Sequence, residues 1–242
     1  MATITLYDLA RRVQPNQCWS YNVWKTRMAL NYKGIPYTTA WVNHVTLRPT
    51  LESIGIPPNT SNQGFEYSVP TIQLSDGSAL TESSLIAAKL EEIQPSPSLH
   101  LDAALQAEAD KVVRMACFPL YARYMPLVAR EIIDESTLPA FEKTREARFG
   151  MTLQEMEAKA GDGIWDAAEP GFVAAGKLLS EHKVDEGPFI LGSQVCYADF
   201  ILVAMFEAFK RADQGMFERA IGRNAAFQAL YDACQEWVQN AQ

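Results

Sequence analysis

Three residues in the stretch Tyr67 to Glu92 suit one kind of ligand. Val69 precedes Pro70, and an X-Pro bond loses most of the usual preference for trans, so a cis turn is expected at this point. Such a turn presents the amide and carbonyl of Val69 to an extended, peptide-like ligand. Glu82 and Ser83 stand at the start of a helix, where free N–H groups and the positive dipole end suit a carboxylate. Ser83 adds a hydroxyl, and Glu82 adds a negative charge for an ammonium. Together they suit a ligand with an α-amino acid end and a nearby peptide bond.

The elements that must hold these groups are marked by their punctuation. Pro70 cannot donate to a ladder, so it fits ahead of a strand, Thr71 to Leu74. Asp76-Gly77 is a hairpin signal, and Ser78 to Leu80 returns as the partner strand. Thr81 is expected to cap the next helix, whose apolar positions are Leu85, Ile86 and Leu90. Upstream, Ile4 to Leu9 reads as a central strand, followed by a loop from Ala10 to Ser20. Asn22 to Gly34 keeps helical spacing through Val23, Thr26 and Leu30, with Gly34 as its stop and Ser20 just ahead of it. Tyr37 to Val42 is a second strand, and this strand–helix–strand order argues for a parallel pair. Leu47 to Ile54 is a short helix, and residues 57–64 are loop by composition.

Gln94 to Ser98, with two prolines, reads as a linker. Everything after it reads helical. Ala103 to Ile133 is one long segment that Pro119 and Pro126 are expected to kink. Leu138 to Phe149, a helix opened by the Thr152–Glu155 capping box, Gly171 to Glu181, Ala198 to Arg211, Gly215 to Ile221 and Asn224 to Val238 follow. The expected division is residues 1–95 and 103–242.

Composition sets outer bounds. With 48% hydrophobic and 21% charged residues the chain is ordinary for a globular protein. A formal net charge of −8 and the lack of a dense basic patch argue against nucleic acid and anionic membranes as partners. No signal peptide and no membrane span are expected. Cys18, Cys117, Cys196 and Cys234 are far apart, and His44, His100 and His182 are scattered, so no metal site is expected. Free thiols in a reducing cytoplasm fit this pattern.

Ser-Val-Pro, the Asp-Gly hairpin and Glu-Ser at a helix start resemble the glutathione-binding segment of the glutathione transferase family. The element order resembles that family as well: an N-terminal thioredoxin-like α/β domain followed by an all-α domain. The run Trp19-Ser20-Tyr21-Asn22 through Tyr37 resembles the serine-type fungal members, including ligandin-like and β-etherase-related groups. Those members usually carry proline after the serine, where this chain has Tyr21.

The resemblance implies binding of glutathione, as co-substrate, through Val69, Glu82 and Ser83. It implies a hydroxyl, Ser20, that donates to the glutathione sulfur and favours the thiolate, the nucleophilic form. Three other readings stand beside this one: Ser20 as a simple helix cap, Cys18 as a mixed-disulfide nucleophile, and Tyr7, inside a strand, as the donor. Tyr21 lies beside the site, and Phe118, Tyr121, Tyr124 and Met125 are candidates for the wall of an acceptor pocket. Arg145 and Arg148 read as a solvated face. Asp199 matches a capping box of the family's helical domain, with Cys196 where a hydroxyl is usual, so the backbone is expected to hold it. The implied activity is addition of glutathione to a small hydrophobic or aromatic electrophile by a cytoplasmic homodimer. The alternatives are a ligandin for aromatic or polyphenolic molecules and a glutathione-dependent etherase or isomerase.

Overall fold

The computed structural model describes residues 4–60 and 65–239. The expected loop at 57–64 therefore lies partly outside the described residues. Four strands, β1 (Ile4–Leu9), β2 (Tyr37–Val42), β3 (Thr71–Gln73) and β4 (Ala79–Thr81), form a sheet in the order β2-β1-β3-β4. β1 and β2 are parallel, with Leu6 opposite Thr39; β1 and β3 are antiparallel, with Leu6 opposite Ile72. The crossover from β1 to β2 is α1 (Tyr21–Tyr32), and α2 (Leu47–Ser53) and α3 (Ser83–Ile93) complete this half. The expected thioredoxin-like order is thus present.

A buried ion pair fixes α1 to the sheet. Asp8 of β1 and Arg27 of α1 have fully buried side chains, with Nε and Nη2 of Arg27 each 3.0 Å from Oδ2 of Asp8. Arg27 also donates to the Tyr37 hydroxyl at 3.3 Å and to Thr39 Oγ1 at 3.0 Å, both on β2. One cation therefore clamps two strands and the helix that carries Ser20.

Thr81 does not cap α3. It belongs to β4, and its hydroxyl donates to the Pro70 carbonyl at 3.1 Å. Because the hairpin spends Thr81 in its ladder, the cap position falls to Glu82. Ile86 and Leu90 of α3 are buried, but Leu85 is exposed.

The second half is helical: α4 (Ala103–Glu131), α5 (Leu138–Phe149), α6 (Leu153–Ala158), α7 (Gly163–Glu181), α8 (Tyr197–Ala212), α9 (Gln214–Ile221), α10 (Ala225–Ala233) and α11 (Gln235–Gln239). Pro119 and Pro126 both lie inside α4. α7 starts well before the expected Gly171 and runs through Pro170, which lacks the N–H for one helical hydrogen bond. Packing against α4 outweighs that loss. At Gly171 a Cβ would lie 2.2 Å from the Ala116 backbone nitrogen, so only glycine permits this approach of the two helices. The last expected helix is divided at Cys234 into α10 and α11. No helix among the described residues is long and apolar enough to cross a membrane.

α8 is buried along most of its length and packs on α1, α4 and α9. Its start is held by Asp199, whose Oδ1 accepts from the Ile190 N–H and whose Oδ2 accepts from the Cys196 N–H, each at 2.8 Å. The Cys196 sulfur takes the hydroxyl's place in the capping box. Burial pushes the Asp199 carboxyl up to about 6, against these bonds, which favour the charged form. A carboxyl held above its unfolded value makes the folded state bind more protons, so its contribution is greatest below about pH 4 and declines as pH rises toward 6. Asp199→Ala at pH 7 is expected to lose about 3 kcal/mol, because two buried N–H donors lose their acceptor. Urea unfolding at pH 7 reads this, and a loss below about 1 kcal/mol would show that water replaces the carboxylate.

Candidate glutathione and acceptor site

Ser20 is the N-cap of α1, with φ −75° and ψ 124°. Its carbonyl accepts the first helical bond, from Trp24 N–H at 3.0 Å, but its side chain makes no capping bond among the described residues. The hydroxyl therefore does not serve the helix, and Ser20 borders a cavity of about 330 Å³. Tyr21, Tyr121, Tyr124 and Met125 border the same cavity.

The other two sulfur-site candidates sit elsewhere. Cys18 is 3% exposed, and its sulfur lies 3.9 Å from the Ser20 carbonyl. Burial first, and then the neighbouring Asp8 carboxylate, push its thiol well above the ordinary range, which leaves it protonated and weakly nucleophilic. Tyr7 is packed in the core, its hydroxyl donating to Gln73 Oε1 at 3.3 Å. Neither borders the Ser20 cavity.

Val69, Glu82 and Ser83 come together around a second cavity of about 230 Å³. Val69, Tyr121, Met125 and Arg145 border both cavities, which are therefore neighbours across one wall. The Val69–Pro70 bond is cis, as expected. The Val69 amide and carbonyl make no hydrogen bond among the described residues, so both remain open to a ligand backbone. Ser83 is the first residue of α3, and its carbonyl accepts from the Tyr197 hydroxyl of α8 at 3.0 Å, which ties this helix start to the helical half. Glu82 is exposed and has φ +76°, a conformation that costs an L-residue roughly 1–3 kcal/mol. Nothing in the sequence signals this backbone, because glutamate is not a residue chosen for positive φ.

The aromatic wall needs one correction. Phe118 is 70% exposed and does not border the cavity. Cys117, Tyr121 and Tyr124 follow one stripe of α4 at spacings of four and three, and Phe118 falls just past its edge. Among the described residues its ring pairs with that of Tyr121 alone, at 6.3 Å between centroids.

Arg145 departs from the expected solvated face. It is not on a solvated face but borders both cavities, with its Nε buried and unpartnered among the described residues. Arg148 borders the second cavity and remains exposed. His44, scattered in sequence, borders the first cavity, where burial and the nearby Arg145 cation lower it to about 3 and keep it neutral. Among the described residues no three His, Cys, Asp or Glu side chains form a group able to hold a metal ion.

A thioredoxin-like half that presents an open cis-proline edge and a helix start, joined to a helical half that walls an aromatic cavity, defines the class. The family models agree with it. Residues 19–93 match the glutathione S-transferase N-terminal domain, and residues 104–237 match the glutathione S-transferase C-terminal domain. The chain belongs to the glutathione S-transferase family. It is 31% identical over 241 residues to the glutathione S-transferase-like protein ustS of Aspergillus flavus, covering 93% of this chain and 86% of that protein. It also resembles a crystal structure of a glutathione S-transferase of Ceriporiopsis subvermispora in complex with glutathione, with a TM-score of 0.83, 26% identity and 97% of each chain covered. Glutathione transferase GSTFuA2 of Phanerochaete chrysosporium gives a TM-score of 0.85 at 25% identity, over 99% of this chain and 98% of that one. The expected likeness to fungal members therefore holds.

Proposed function

We propose that this protein binds glutathione at Val69, Glu82 and Ser83 and adds its sulfur to a small aromatic or hydrophobic electrophile held against Tyr21, Tyr121, Tyr124 and Met125. The observation that carries this reading is the Ser20 hydroxyl, placed at a helix start, uncommitted to capping and bordering the cavity. Val69 would pair with the cysteinyl backbone of the tripeptide. The α3 N-terminus and Ser83 would take its α-carboxylate, and Glu82 its ammonium. The thiol proton leaves to solvent, Ser20 donates to the thiolate, and the sulfur forms a bond to an electrophilic carbon. That carbon either expels a leaving group with its electron pair or passes the negative charge to a neighbouring atom that takes up a proton.

Three features support the wider picture of a cytoplasmic homodimer. The four cysteines are free and buried. Leu85 on α3, with Met115 and Phe118 on α4, leaves large apolar side chains exposed on two helices that a partner copy would cover. The net charge opposes binding to nucleic acid or anionic lipid. A second reading, a ligandin that holds aromatic molecules with little turnover, is favoured by the aromatic wall, where Tyr121 lies 6.5 Å from Tyr124 and Tyr124 lies 5.8 Å from Phe209 between centroids.

Turnover with glutathione against a panel of electrophiles, peroxides, disulfides and aryl ethers separates these readings. Conjugation supports the transferase, and tight binding of aromatic dyes without turnover supports the ligandin. Glu82→Gly tests the binding assignment. Glycine relieves about 1–3 kcal/mol of backbone cost while adding about 0.4–1 kcal/mol of unfolded-state freedom. The variant is therefore expected to be as stable as the parent or more so, while calorimetry shows weaker glutathione binding. Unchanged affinity would remove Glu82 from the site.

A further inference from the structure

Arg145 reaches the cavity from α5 half-buried and without a counter-charge among the described residues. Its Nη1 donates to the Thr144 hydroxyl at 2.8 Å, a neutral partner. Its guanidinium lies 3.9 Å above the Phe141 ring and 5.1 Å from the Phe65 ring. Among the described residues no carboxylate pairs with it, and its Nε is buried with no acceptor. The other charges at this cavity are differently placed. Arg48 is engaged by Glu52 at 2.9 Å, Glu66 lies near Arg48, and His44 is neutral.

A cation removed from water without a counter-charge is costly, and stacking on a ring recovers only part of that cost. Stacking fixes the plane of the guanidinium, and N–H groups of Arg145 beyond the one given to Thr144 have no carboxylate partner among the described residues, the arrangement in which an anion would be held by charge-assisted hydrogen bonds. Burial lowers Arg145 to about 10, so it remains charged at neutral pH. Tyr124 and His44 line the same space.

We infer that Arg145 is an anion subsite of the acceptor cavity, and that the preferred acceptor is an aromatic electrophile bearing a carboxylate. This deepens the transferase reading and rests on it only in taking this cavity as the acceptor's. A carboxylate here has two possible sources, the acceptor and the glycyl end of glutathione. The setting among α4 and α5 aromatics favours the acceptor.

Ethacrynate, an aryl enone with a carboxylate, and its methyl ester serve as a matched pair. Each is titrated by calorimetry, without glutathione, into the parent, Arg145→Gln and Arg145→Lys. The parent is expected to bind the acid about tenfold more tightly than the ester. Arg145→Gln should remove that preference by weakening the acid alone, and Arg145→Lys should restore part of it. Equal binding of acid and ester by the parent, or a preference that survives Arg145→Gln, overturns the inference. A separate glutathione titration decides the source: if Arg145→Gln weakens glutathione as much as the acid, the guanidinium holds the glycyl carboxylate and the acceptor subsite is wrong. If Arg145→Gln does not fold, the parent's discrimination and the Arg145→Lys titration still decide. A parent that prefers the acid but binds no glutathione refutes the transferase reading and leaves the subsite standing.

Discussion

Ser20→Ala is expected to return the thiol of bound glutathione toward its free value of about 8.5 and to slow conjugation by one to two orders of magnitude, roughly the rate equivalent of the lost stabilisation. A thiol lowered by about two units has its thiolate favoured by about 2.7 kcal/mol, of which a hydroxyl donor and the α1 dipole are the sources. Since Ser20 makes no capping bond with its side chain, the substitution should change the unfolding midpoint little. That separates it from a merely structural residue, because an N-cap replaced by alanine loses about 1 kcal/mol. Cys18→Ser should leave conjugation nearly intact, since this thiol is buried and held protonated. Thiolate absorbance in the ultraviolet, followed as pH rises with glutathione bound, reads the first effect. The reverse ranking, with disulfide reduction abolished by Cys18→Ser and insensitive to Ser20→Ala, would transfer the chemistry to the cysteine. If neither substitution moves the bound thiol, the ligandin reading takes the lead.

The second large effect concerns the pair beneath the site. Removing one partner of a fully buried ion pair strands the other charge in a dry interior, at about 3–5 kcal/mol. Arg27→Met should therefore cost at least as much, because it also releases the Tyr37 and Thr39 hydroxyls that Arg27 holds. Asp8→Leu should cost a similar amount by stranding the guanidinium. The double variant should recover much of the loss, since well-packed apolar residues often replace buried pairs at little cost. A double-mutant cycle in guanidinium chloride measures this coupling. Additive losses would mean that water reaches the pair and that its charges do not interact strongly.

Much of this molecule was legible in its punctuation. Pro70, Asp76-Gly77, Gly34 and the Thr152–Glu155 box act through local backbone chemistry, so their effects are visible in a few adjacent residues. Val69, Ser83, Ser20, Tyr121, Tyr124 and Met125 then fall where their local elements place them. The failures share a different cause. Phe118 and Arg145 both lie on helices whose inner face is decided by distant partners, and α5 has too weak an apolar stripe to announce which side is covered. Asp8 was hidden inside a run that reads as apolar, since its partner lies 19 residues away. The helix expected from Gly171 starts eight residues earlier, at Gly163, because the tight α4–α7 contact at Gly171 outweighs the hydrogen bond missing at Pro170.

Lys33 has a bearing on how ligands meet the cavity. Its side chain is buried at the end of α1, where the ammonium contacts Glu91 Oε2 at 2.7 Å and donates to the carbonyls of Gln94 at 2.5 Å and Pro97 at 2.8 Å. The Gln94 side-chain amide donates back to the Lys33 carbonyl. The segment between the two halves, which by composition looks like a swivel, is thereby stapled at both ends to the helix that carries Ser20. This part of the frame around the cavity is therefore already ordered, so no entropy of fixing the linker against α1 has to be lost when a ligand arrives.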